Sequence, residues 1–113
     1  MSISPSVSTF VAAPTIISYS PTTGSNAASK LTVTFLDASG SPQPFALAKI
    51  RTAFSTGSYS TFATGTADAS GVFNKWFEAK SSTPLGIHHF NASGSISGSA
   101  YVGINQLVTV TVV

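Results

Sequence analysis

The 113 residues are 42% hydrophobic but only 7% charged, against about 25% charged in an average soluble domain, and 20 Ser, 14 Thr, 14 Ala and 9 Gly make up half the chain. The length suits one domain with a real core, while five scattered Lys plus Arg and a formal net charge of +2 give no basic footprint for nucleic acid. Twelve aromatics and a mean hydropathy of +0.32 exclude disorder of the polar, highly charged kind, and the lack of cysteine excludes disulfides, thiolate nucleophiles and zinc–thiolate sites.

In chain order, residues 1–13 are Ser-rich and broken by Pro5, and read as an extended N-terminal arm outside the domain proper. They lack a basic leading region, and Pro5, Ser6 and Ser8 interrupt any apolar run, so they do not read as a secretory signal. No window approaches the ~20 apolar residues of a membrane span. From Pro14 onward, apolar and polar residues alternate with period two between clusters of Gly, Pro, Asp and Ser. Residues 31–37 put Leu31, Val33 and Phe35 on one face and Thr32 and Thr34 on the other, the pattern of a half-buried strand. Asp37-Ala38-Ser39-Gly40 ends it, because the Asp caps its own turn and the Gly accepts positive φ. Pro42 and Pro44 extend the break.

Further strands are expected at 45–54 and, more weakly, at 59–66. Asp68-Ala69-Ser70-Gly71 repeats the earlier turn and launches a strand at 72–79, in which neither face is cleanly polar. Residues 87–92 form the next strand, and the Gly/Ser stretch 93–99 reads as a turn or a weak edge. Residues 107–112 close the chain as a high-propensity strand, one that lacks the Lys or Pro protecting a free edge and is therefore either open to strand addition or already paired. About seven short strands with a turn signal every 8–12 residues predict an all-β antiparallel sandwich over residues 14–113.

The run 31–42, with its strand, Asp, Gly and Pro, resembles the bacterial immunoglobulin-like domains of surface adhesins and phage virions. So do the Thr66, Asp68 and Gly71 turn before Val72 and the segment Gly86-Ile87-His88-His89-Phe90-Asn91-Ala92. The resemblance covers about residues 14–113 and implies an immunoglobulin-like sandwich. His88 departs from it by standing where the family carries an aromatic, often tyrosine.

Catalysis is not expected. Acid–base chemistry on a glycoside needs two carboxylates facing one substrate, and of Asp37, Asp68 and Glu78 the first two are committed to turns with Gly40 and Gly71. Serines abound, but no Gly-x-Ser-x-Gly elbow accompanies them. His88 and His89 are adjacent on a strand and so face opposite ways, which is wrong for chelating one metal. No cofactor or metal is expected. Asn91-Ala92-Ser93 has the spacing of a glycosylation acceptor, a three-residue pattern common by chance.

Binding is the expected mode of action. Interface cores are poor in Lys, Glu and Asp and rich in aromatics, as this chain is throughout. The candidate contact residues are Ile3, Val7, Phe10 and Val11 in the arm and Tyr59, Trp76 and Tyr101 in the domain. The phage branch of the resemblance implies a virion structural protein, specifically a capsid decoration protein. Its arm and a charge-poor sandwich face would pack on the major capsid protein, on another virion protein or on sister copies. The alternatives are a binding module of an adhesin on the bacterial cell surface, and a tail- or fibre-associated carbohydrate-binding domain in which Trp76, Tyr59 and Tyr101 stack cell-surface glycans.

Overall fold

The structure, a computed structural model, describes residues 3–20, 26–55, 57–97 and 99–113. It is all-β, with nine strands among the described residues: β1 Thr9–Ala13, β2 Ile16–Ile17, β3 Ala28–Thr34, β4 Leu47–Phe54, β5 Ser60–Thr66, β6 Val72–Glu78, β7 Gly86–Ser95, β8 Val102–Gly103 and β9 Val108–Val112. None of these residues forms a helix long and apolar enough to cross a membrane.

The strands make two sheets packed as a sandwich. One has the order β1-β3-β6; the other has the order β2-β9-β7-β4-β5, with β8 beside β7. In an immunoglobulin-type sandwich, A, B and E share one sheet and C, F and G the other. Here β1, β3 and β6 take the first set of places, and β4, β7 and β9 the second. All pairings are antiparallel except β2 with β9, which is parallel, so the second sheet is mixed where a purely antiparallel one was expected.

Alternation decides which side chains meet between the sheets. In β3, Leu31 and Val33 are fully buried while Lys30 is exposed. Phe10 and Phe73 flank Val33 across the ladder. From the other sheet come Ala48, Ile50, Phe90, Ala92, Val110 and Val112, and Phe35 and Ile17 complete the same core. Phe62 is the extra residue of a bulge where β5 slips against Ile50 and Arg51. A bulge re-aims a side chain, and Phe62 turns inward to meet Phe77 and Phe90 edge-on at 5.9 and 5.5 Å between centroids.

Residues 1–13 were expected outside the sandwich; the described part of that segment is inside it. Thr9–Ala13 pairs along its whole length with β3, and Ile3 and Phe10 are core residues, only 5% and 2% exposed. Ser8 explains how a Ser-rich segment manages this. Its hydroxyl donates to the Leu36 carbonyl at 3.0 Å and accepts from the Leu36 N–H at 2.9 Å, replacing one rung of a ladder with a side chain. The Ser4 N–H also donates to the Leu36 carbonyl, the Asn105 N–H donates to the Pro5 carbonyl, and the Phe10 N–H donates to Gln106 Oε1 at 3.1 Å.

The stretch from Ser93, expected as turn or edge, instead continues the central strand β7 through Ser95. Gly94 sits there because a Cβ would strike the Phe35 ring and Ile3, so that glycine makes room for core and is not a turn signal. The closing strand is not an edge either, being flanked by β7 and β2.

Candidate interaction surfaces

The two Asp-Ala-Ser-Gly turns lie together at one end of the sandwich. In the first, Asp37 Oδ1 accepts the N–H groups of Ser39 and Ser41, both at 2.9 Å, and the Ser39 hydroxyl at 2.8 Å. In the second, Asp68 Oδ1 accepts the N–H groups of Ser70 at 2.8 Å and Val72 at 3.1 Å. The N–H of each turn's glycine donates to its Asp carbonyl at 3.0 Å, and Gly40 and Gly71 have φ of +86° and +78°, the left-handed region open to glycine. The N–H of Ser41 and then the hydroxyl of Ser39 hold the Asp37 carboxyl below the usual carboxylate range, since both favour the charged form. Asp37 and Asp68, by these bonds, and Gly40 and Gly71, by their φ, thus hold the two turns in shape.

His88 and His89 face opposite sides of β7. His88 is buried, with its ring 4.7 Å from Phe54 and 5.1 Å from Phe77. Its Nε2 is 2.8 Å from the Pro84 carbonyl four residues upstream, and because a carbonyl only accepts, Nε2 is the donor. Glu78 lies 4.0 Å from Lys80 at the surface.

The seven candidate contact residues do not form one surface. Ile3 and Phe10 are core and unavailable to a partner, and Val7 is half-buried. Val11 and Trp76 lie on the outer face of the three-stranded sheet, 53% and 56% exposed. There, Val11 is opposite Thr32 and Thr32 opposite Asn74; Ala13 is opposite Lys30 and Lys30 opposite Trp76. Thr9, Thr34 and Val72 complete this face beyond Val11, and Thr32 Oγ1 donates to Asn74 Oδ1 at 2.8 Å. Its charges, Lys30 and Glu78, fall at one end, leaving the rest neutral.

Tyr101 belongs to the other sheet and Tyr59 is half-buried ahead of β5, so the expected joint aromatic platform of Trp76, Tyr59 and Tyr101 does not exist. Tyr101 instead borders a groove of about 350 Å³ with Arg51, Asn91, Ser93, Gly103 and Leu107. Neighbouring strands bring these groups together: Arg51 is opposite Asn91, Lys49 opposite Ser93, and Ser93 opposite Gly103. Arg51 and Asn91, 40 positions apart in the chain, carry no local pattern that marks them as a pair. Searches against protein-family models and curated protein sequences return no match to this chain.

Proposed function

We propose that the protein acts by binding, as a structural component of a larger protein assembly, and that the assembly is a phage virion in which it decorates the capsid. The observation that carries the reading is the outer face of the three-stranded sheet, where Val11 stands exposed among Thr, Ala, Val and Asn and Trp76 stands exposed at the end that also holds Lys30 and Glu78, the face's two charges. An exposed Trp on a face with few charges is the kind of anchor that interfaces are rich in. The resemblance of residues 31–42, 65–72 and 86–92 to bacterial immunoglobulin-like domains supports the virion setting. Because the N-terminal strand is already committed to the sandwich, contact with the capsid subunit runs through this face and not through a free arm.

The test is incorporation. The protein should copurify with phage particles at many copies per particle, and Val11→Ser combined with Trp76→Ser should lower its occupancy at least tenfold while leaving thermal unfolding unchanged. Absence from purified particles, or full occupancy by the double variant, would overturn the reading.

A further inference from the structure

We infer that the groove on the opposite sheet is a binding site for an acidic saccharide, a sugar carrying a carboxylate. The first argument is charge. Among the described residues the carboxylates are Asp37 and Asp68, bound within their turns, and Glu78 beside Lys80. Lys49 and Arg51, two apart on β4, face outward with no carboxylate in ion-pair range. Arginine presents a fixed fork of donors that matches a carboxylate in two-point fashion, and Arg51 in the groove wall, with the positive charge of Lys49 beside it on a chain this poor in charge, defines a local anion site.

The second argument is the rest of the lining. The side chains of Asn91 and Ser93 stand on β7 directly opposite Arg51 and Lys49. The amide supplies a donor and an acceptor, the hydroxyl both at once, a set suited to sugar hydroxyls. Tyr101 lines the wall with an exposed ring and is held by Lys49, whose Nζ lies 4.4 Å from the ring centroid, within cation–π range. The Gly103 edge adds no side chain, and a Cβ built there meets nothing within 4 Å. About 350 Å³ is at the small end for ligand sites and suits a single ring with its carboxylate. The site lies on the opposite face of the sandwich from Val11 and Trp76, so a copy docked through that patch still offers the groove to solvent.

Nuclear magnetic resonance titration of the isolated, folded protein tests the inference without reference to any assembly. The probes are galacturonate, glucuronate and sialic-acid oligosaccharides, each beside its uncharged methyl ester, with adenosine monophosphate as a non-sugar anion. At least one acidic saccharide should shift the amide signals of Arg51, Asn91, Ser93, Tyr101 and Gly103, and its ester should bind at least tenfold more weakly. Arg51→Gln should weaken binding at least tenfold, and Gly103→Val, which fills the groove with a strand-compatible side chain, should abolish it with the thermal midpoint unchanged. No response at the groove to any acidic saccharide, equal binding of acid and ester, or a stronger response to the nucleotide would each overturn the proposal.

Discussion

The turns at 37–40 and 68–71 share four residues, the same backbone hydrogen bonds and nearly the same glycine φ, and differ in one serine hydroxyl bond, yet they do different work. Gly40 is exposed, and a Cβ built on it meets nothing within 4 Å. Gly71 is buried, and its Cβ would lie 2.7 Å from the Phe35 carbonyl oxygen and 3.1 Å from the Gln43 nitrogen. The Gly71 carbonyl also accepts the Phe35 N–H at 2.8 Å, and the Asp68 carbonyl accepts the Phe45 N–H at 3.1 Å. The first turn closes only its own hairpin; the second is a knot that, beside the Ser4 and Ser8 bonds to Leu36, fastens that hairpin to the rest of the fold. Local chemistry sets the shape of such a turn, and its surroundings set what depends on it.

The two glycines should differ most. Gly71→Ala combines left-handed strain with a backbone collision that moves Phe35 and Gln43, and should lower stability by about 3 kcal/mol or more. Gly40→Ala carries the strain alone, about 1–2 kcal/mol. Equal shifts in the two urea midpoints would show that surroundings do not matter. Asp68→Ala removes two acceptor contacts at the knot and should cost about 1–2 kcal/mol, read in the same denaturation experiment.

The smallest effect is acid sensitivity at the first turn. A carboxyl held below its unfolded value contributes stability that is fully present above the unfolded pKa and is lost as pH falls through the folded one. Wild-type stability should therefore fall in acid from about pH 4 downward. Asp37→Asn, which keeps an acceptor oxygen, should remove part of that slope through a small drop in the neutral-pH midpoint, with the wild-type and variant midpoints converging in acid. An unchanged acid slope would show that the bonds from Ser41 and Ser39 do not favour the charged form.

What was legible in the sequence was what neighbouring residues decide among themselves. The turn residues and the alternation of Leu31, Val33 and Phe35 needed no distant partner to be recognised. The N-terminal strand was hidden because Ser8 and Pro5 look like loop residues until Leu36, 28 positions away, supplies the partner for the serine. Gly94 was misread for a related reason: a missing side chain is a turn signal locally and a packing device when Phe35 arrives across the core. Residue type alone does not separate the buried Phe10 from the exposed Val11 next to it; that depends on which face of β1 turns toward the second sheet. The groove was least legible, since its side chains come from separate strands and its defining property is the absence of a nearby carboxylate.

The parallel pairing of β2 with β9 has a mechanical consequence. The Thr111 and Val113 N–H groups donate to the carbonyls of Thr15 and Ile17 at 2.8 and 2.9 Å, tying a strand near the beginning of the chain to the last strand, with both running the same way. Tension applied between the two ends pulls these strands past each other along their length, loading the bonds together in shear instead of opening them one by one like a zipper. The two-residue β2 therefore meets such tension with its bonds to β9 side by side, a stronger arrangement than its length alone would give.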